Sequence, residues 1–247
     1  MPVPSSRRAT LREAGRAVDV PVAVVTWLAA FFVGQTISAL VTSTAGVDDA
    51  DLIPIPTLFA AVVATWVAYI AGAWYASMRA GSGDPVEDYR LRFGLFDLVG
   101  VPVGVLTQLV LVPVVYLPLI RLWPDVFTDE RLEETAQRLV DRADGVSFVL
   151  LVAMVCVGAP IVEEIVYRGM IQGSLAARID QKVALLAATT WFALIHFRPV
   201  EYPGLFVFGL VAGASFLATG RLGTAIVTHA AFNVTGLALA ILATARV

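Results

Sequence analysis

VSFVLLVAMVCVGAPIVEEIVYRGMIQGSLAA, residues 146–177, is the stretch from which the architecture can be read. Up to Val162 it is apolar and uncharged; Glu163, Glu164 and Arg168 then interrupt it, and the apolar pattern resumes from Gly169 to Ala177. A helix that crosses the hydrocarbon of a bilayer needs about 20 predominantly apolar residues. This stretch is long enough to form one such helix with three ionisable side chains inside it. Outward from it, charged residues mark off further uncharged runs at 20–47, 52–78, 98–120, 183–197, 202–220 and 222–245. The run at 183–197 is short and reaches span length only if Lys182 and Arg198 extend their stems to the headgroups. The pattern predicts an all-α fold, a polytopic membrane helical bundle of about seven transmembrane helices.

Composition agrees. Of 247 residues, 58% are hydrophobic and 15% charged, and the mean hydropathy is +0.81. Water-soluble domains carry roughly a quarter charged residues, so a soluble enzyme is excluded. A disordered chain needs low hydrophobicity and high net charge, and a nucleic-acid binder needs a basic face; a net charge of −3 on this background offers neither. One cysteine, Cys156, rules out an internal disulfide and a thiolate metal cage. Lys182 is the single lysine beside the arginines, a bias of the kind a GC-rich bacterial genome produces.

The N-terminal arginines Arg7, Arg8, Arg12 and Arg16 precede an apolar stretch longer than a signal-peptide core, which reads as a retained first span. Placing that end in the cytoplasm also places Arg79, Arg90, Arg92, Arg178, Lys182 and Arg221 inside. Arg121, Arg131, Arg138, Arg142, Arg198 and Arg246 then lie outside, an asymmetry that follows the positive-inside rule. The expected location is a cell membrane, multi-pass, with membrane lipids as surroundings. Between 123 and 145, Leu132, Ala136, Leu139 and Val140 share one helix face opposite Glu133, Glu134, Arg138 and Asp141, with Thr128 as N-cap. This is an amphipathic helix lying in the interface; a lid over a membrane-embedded site is its sharper alternative.

Ionisable groups inside a span are costly and usually functional. Glu164 and Arg168 are four apart with the acid first, the favourable order for an ion pair along one face. Glu163 is five residues from Arg168 and points elsewhere, since each residue turns about 100°. It is left without a partner in its own helix. A desolvated, unpaired carboxyl has its pKa raised, which is what a general base at neutral pH requires. Taken alone, these charges also fit a helix that simply ends at the inner surface. The two histidines of the chain bear on the choice: His196 follows Phe192 by one turn, and His229 precedes Asn233 by one turn, both in apolar runs. A polar pair on one face of a span is expected to look toward other helices or a wet cavity. Measured from the midpoints of their runs, Glu163, His196, His229 and Asn233 lie within about 8 Å of a common depth. Gly209 and Gly213 form a GxxxG face that would let the intervening span pack closely against this group.

In that order on successive late spans, Glu-Glu-x-x-x-Arg, Phe-x-x-x-His and His-x-x-x-Asn resemble the CPBP family of intramembrane proteases, which includes CAAX-prenyl endopeptidases and bacterial homologues linked to bacteriocin processing and self-immunity. The resemblance covers residues 146–240 or so; the first 120 residues carry no matching motif. It implies an intramembrane endopeptidase acting on a peptide or membrane-protein substrate. Glu163 would activate water, His196 would hold that water, and His229 with Asn233 would stabilise the oxyanion. Glu164, Arg168 and Phe192 would be structural support. The organisation expected is a cytoplasmic basic tail (1–19), three N-terminal transmembrane helices (20–122), the interfacial segment (123–145) and a catalytic four-helix core (146–247). No cofactor is expected. Glu163, His196 and His229 could form a three-ligand zinc set, but there is no HExxH pair and the metal-free reading is preferred. Two other classes remain open: a non-catalytic membrane scaffold or immunity protein, which needs the fold but not the base, and a proton or ion transporter, which a buried Glu/His cluster also suits. A bacterial source would make prenylated substrates unexpected.

Overall fold

The computed structural model describes residues 17–47 and 52–244. The arginines of the N-terminal tail, the acidic residues Asp48, Asp49 and Asp51, and Arg246 lie outside the described residues. The described chain is helical, without strands: α1 Val20–Ser43, α2 Ile55–Ala80, α3 Leu95–Leu122, α4 Asp129–Asp141, α5 Gly145–Ala176, α6 Gln181–Leu194, α7 Tyr202–Thr219 and α8 Leu222–Thr244. A short helical turn, Pro85–Asp88, sits between α2 and α3. Six helices (α1, α2, α3, α5, α7 and α8) are long and apolar enough to cross a membrane. Their outer faces are apolar as well, with Val25, Phe32, Leu40, Val67 and Trp74 all more than 60% exposed. Such an exterior is a liability in water and suits lipid.

The fifth apolar run departs from expectation. It forms α6, 14 residues long, or about 21 Å at 1.5 Å per residue, short of a hydrocarbon core of about 30 Å. The helix ends because Phe197 takes a left-handed backbone, φ 52°, which a bulky L-residue adopts only where the chain turns; Pro199 follows. His196 therefore sits in the turn just beyond α6 rather than within a span. The long helix at 145–176 is continuous, as the sequence predicts, but it is not a regular α-helix. It widens into π-helical turns at Ala153–Gly158 and Glu164–Gln172, and α3 does so at Thr107–Leu111. The turns at 107–111 and 153–158 come just before Pro113 and Pro160. A proline ring clashes with the carbonyl four residues back, here Leu109 and Cys156, and a one-turn bulge relieves the clash. The turn at 164–172 contains no proline; every residue in it is buried, and it carries the Glu164–Arg168 pair.

Small residues set the close contacts. In the α1–α2 hairpin a Cβ on Gly34 would stand 3.0 Å from Thr65 Cγ2, and one on Gly72 would stand 3.0 Å from Thr26 Cγ2. On the GxxxG face of α7, a Cβ on Gly209 would meet Thr189 Cγ2 of α6 at 2.9 Å, and one on Gly213 would collide with Leu185. A second such face, Gly100 and Gly104 on α3, lies on the backbone of α8: a Cβ on Gly100 would be 2.8 Å from the Thr224 carbonyl oxygen, and one on Gly104 would collide with that of Thr228. The obstacle there is backbone, which cannot step aside. Gly104→Ile is expected to destabilise the protein by about 1–3 kcal/mol, read as a lowered unfolding midpoint in detergent; an unchanged midpoint would contradict this packing.

The core centres on α5. Val166, Met170 and Ile171 are at most 1% exposed and pack with Trp27, Phe192, Phe208 and Leu222. Helix α4 starts as expected, with the Thr128 hydroxyl accepting from the Arg131 N–H at 3.2 Å. Its Leu139 and Val140 rest on the Leu151–Met154 cluster of α5. Arg198 and Glu201, in the turn that follows His196, both reach Thr135 of α4. In the segment between α2 and α3, Tyr89 is buried and donates to the Ala73 carbonyl at 2.5 Å; burial and the neighbouring Asp88 push its phenol well above the ordinary value.

Candidate active site

Helix α5 contributes two glutamates to one end of its second π-helical turn, and they face different surroundings. Glu164 is fully buried. Its Oε1 lies 3.1 Å from Arg168 Nη1 and accepts from His229 Nδ1 at 2.8 Å. The ion pair foreseen from the spacing is present, and it has a third member that the spacing does not reveal. Arg168, 2% exposed, also donates to the Gly209 carbonyl at 3.4 Å. Its guanidinium carbon lies 4.5 Å from the centre of the Phe192 ring and 5.7 Å from that of Phe208, so a desolvated cation gains two aromatic faces. Glu164 Oε2 has no hydrogen-bond partner among the described residues.

This bond fixes the imidazole of His229. When an ionised carboxylate accepts from Nδ1–H, the proton is held on that nitrogen and Nε2 is left for other work. Nε2 points toward the second glutamate, 3.9 Å from Glu163 Oε2. That separation is too long for a hydrogen bond and short enough for charge to be felt. Phe208 flanks the ring at 4.5 Å between centroids.

Glu163 is one quarter exposed and lines a cavity of about 290 Å³ together with His196. His196 Nδ1 lies 2.7 Å from the Phe192 carbonyl oxygen; with the proton on Nδ1, that nitrogen donates and Nε2 is an acceptor. The rings of Phe192 and His196 are 4.8 Å apart and perpendicular in character, and Phe192 stands 6.3 Å from His229. Phe192, 1% exposed, is thus a wedge between Arg168 and the two imidazoles, as its position one turn before His196 suggests.

Glu163, His196 and His229 are brought together. Asn233 is placed one turn further along α8, and its Nδ2 donates to the Val155 carbonyl at 2.7 Å. Val155 belongs to the proline-induced π-helical turn of α5, where widened bonding leaves carbonyls available. The carboxamide thus joins α8 to α5, and Asn233 is not among the residues that line the cavity holding Glu163 and His196.

Besides Val162, Val166 and Tyr167 of α5 and Ile195, the cavity wall comes from two helices in which the sequence shows no motif. Phe31, Gln35 and Ser38 recur at i, i+4 and i+7 along α1, and Val62, Thr65, Trp66 and Tyr69 at i, i+3, i+4 and i+7 along α2. Each set is one helix face. The available sequence signal was polarity: Gln35, Ser38 and Thr65 are among the few polar residues of these spans. Trp66 approaches so closely that a Cβ on Gly158 of α5 would collide with its ring.

No group of three or more His, Cys, Asp or Glu side chains among the described residues is placed to hold a metal ion. The donor set conceivable for zinc is Glu163, His196 and His229. Its His229 donates through Nδ1 to Glu164, which leaves Nε2 free, 3.9 Å from Glu163 Oε2.

Residues 145–235 match the family model described as type II CAAX prenyl endopeptidase Rce1-like. The resemblance carried by the three motifs holds over this span, which takes in Glu163, Glu164, Arg168, Phe192, His196, His229 and Asn233. A search of curated proteins and a search of solved structures returned no match.

Proposed function

From that match over residues 145–235, in a chain with six helices able to cross a membrane, we propose that the protein is an intramembrane endopeptidase that hydrolyses a peptide bond with water activated by Glu163. The single observation that carries this reading is the placement of Glu163 beside His196 on one cavity, with His229 Nε2 at 3.9 Å. The Glu163 carboxylate takes a proton from water as the water oxygen attacks the scissile carbonyl carbon. His196 Nε2 accepts a hydrogen bond from the same water. The oxyanion that forms is held by His229 acting as an imidazolium, with Nδ1–H on Glu164 and Nε2–H toward the oxyanion, and by an N–H of Asn233. An oxyanion donor in a dry site contributes about 10²–10³ in rate. Protonated Glu163 then delivers its proton to the leaving nitrogen as the C–N bond breaks. Each step needs only side chains of this chain, and the reading is metal-free. The substrate is a hydrophobic peptide or membrane protein, not assigned to prenylated chains, and the N-terminus is cytoplasmic in a cell membrane.

The direct test incubates purified protein in detergent with a library of membrane peptides and reads new N-termini by mass spectrometry. Cleavage is expected; its complete absence would favour the scaffold reading. Chelation by EDTA or phenanthroline is expected to leave the rate within about twofold, whereas removal of a water-activating metal costs orders of magnitude. Activity lost to chelators and restored by zinc would overturn the metal-free mechanism.

A further inference from the structure

Gln35 lies on α1 only about 5 Å from the midpoint of the helix, at 1.5 Å per residue, in a span otherwise built from alanine, valine, phenylalanine and other small or apolar residues. A polar side chain at such depth is costly unless it meets a partner or a wet cavity. The neighbouring hydroxyls find backbone: Thr36 donates to the Phe32 carbonyl at 2.8 Å, and Thr65 reaches the carbonyls of Gly34 at 3.2 Å and Ala61 at 3.1 Å. Gln35 and Ser38 do not. Both line the cavity that holds Glu163 and His196, and neither has a hydrogen-bond partner among the described residues. Glu163 is itself about 4 Å from the midpoint of α5 at the same rise per residue, so the two groups share a depth and a hollow.

A carboxamide carries one acceptor oxygen and an NH2 donor, the same complement as a peptide unit, and it can pair with an extended backbone through two hydrogen bonds at once. A hydroxyl three residues further along the same face adds a third. We propose that Gln35 and Ser38 form a substrate-backbone subsite: they bind a peptide unit flanking the bond to be cleaved and so hold an unfolded, extended segment against Glu163. This rests on the hydrolase reading for its occupant. It assigns to α1, which lies outside the matched residues 145–235, the task of recognising main chain rather than side chain. Specificity at this position is then for extended backbone and not for sequence, and a substrate helix must unwind locally to engage it.

The test uses the full chain in lipid nanodiscs. In a Glu163→Gln background, a synthetic hydrophobic peptide of Leu, Ala and Ser with one benzoylphenylalanine is photo-crosslinked, and labelled fragments are mapped. Label on α1 is expected, and Gln35→Leu is expected to lower its yield roughly tenfold, the loss of two neutral hydrogen bonds. N-methylation of successive amides in the probe should reproduce that loss at one or two positions. In the Glu163 protein, Gln35→Leu should raise KM for a cleaved library peptide roughly tenfold and leave kcat within about threefold. Leucine suits a lipid-embedded helix, and an unchanged unfolding midpoint separates loss of binding from loss of fold. Labelling and KM both indifferent to Gln35→Leu, or no label on α1, would overturn the subsite. Gln35-dependent capture without any cleavage by the Glu163 protein would overturn the hydrolase reading and leave the subsite standing.

Discussion

The Glu163→Gln protein is expected to bind membrane peptides with nearly unchanged KM and to cleave them about 10²–10⁴-fold more slowly. The amide keeps the size and hydrogen-bonding outline of the carboxylate, so the quarter-exposed side chain still lines the cavity beside His196. What it cannot do is accept a proton from water or return one to the leaving nitrogen. A fall in kcat and kcat/KM together marks an interaction made only in the transition state. The same variant separates the competing classes: a scaffold or immunity protein would retain its cellular function with glutamine at 163, and a transporter would show proton flux in liposomes that peptide hydrolysis does not track. Cleavage at the original rate would remove Glu163 from the mechanism.

The second large effect concerns Glu164. Glu164→Leu leaves the Arg168 guanidinium, 2% exposed, with no carboxylate. Breaking a buried pair in this way costs about 3–5 kcal/mol, and the variant should unfold at a much lower temperature or fail to accumulate. Replacing both members tells more. A buried pair exchanged for apolar residues of similar volume is often neutral in stability, so Glu164→Leu with Arg168→Leu or Arg168→Met is expected to recover most of the loss. Activity should not recover. His229 Nδ1 loses its 2.8 Å acceptor, and the ring that offers Nε2 to an oxyanion is no longer held in place. A stable but inactive double variant would identify Glu164 as a positioning residue for His229. A stable and fully active one would reduce the triad to a packing feature.

What was legible in the sequence was local. Glu164 with Arg168, Phe192 with His196, the N-cap of α4 and the GxxxG face of α7 are all relations within a turn or two, where helical geometry fixes which side chains meet. The length of α5 was legible because apolar residues resume after Arg168. The span number was less so: the run at 183–197 is apolar throughout, but its last residues leave the helix at Phe197, and hydropathy does not encode a left-handed turn. The surroundings of Glu163 were legible only in part. It lacks a partner within its own helix, as the spacing says, and it lines a cavity with His196 and stands near His229, but Asn233 is not on that wall. The bond from His229 to Glu164, the contribution of α1 and α2 to the cavity, and the engagement of Asn233 by Val155 all join residues distant in sequence. Only packing establishes such pairs. For Asn233 the cause begins at Pro160, whose missing N–H widens the preceding turn and leaves a carbonyl to be claimed.

The most direct measurement of the central claim is the isotopic fate of the water. With the purified protein turning over a cleaved membrane peptide in ¹⁸O-water, mass spectrometry should find one ¹⁸O in the new C-terminal carboxylate and none in the fragment containing Glu163, even after many turnovers. Label accumulating on Glu163 would mean that the carboxylate attacks the substrate itself, and the account of a glutamate that activates water would be contradicted.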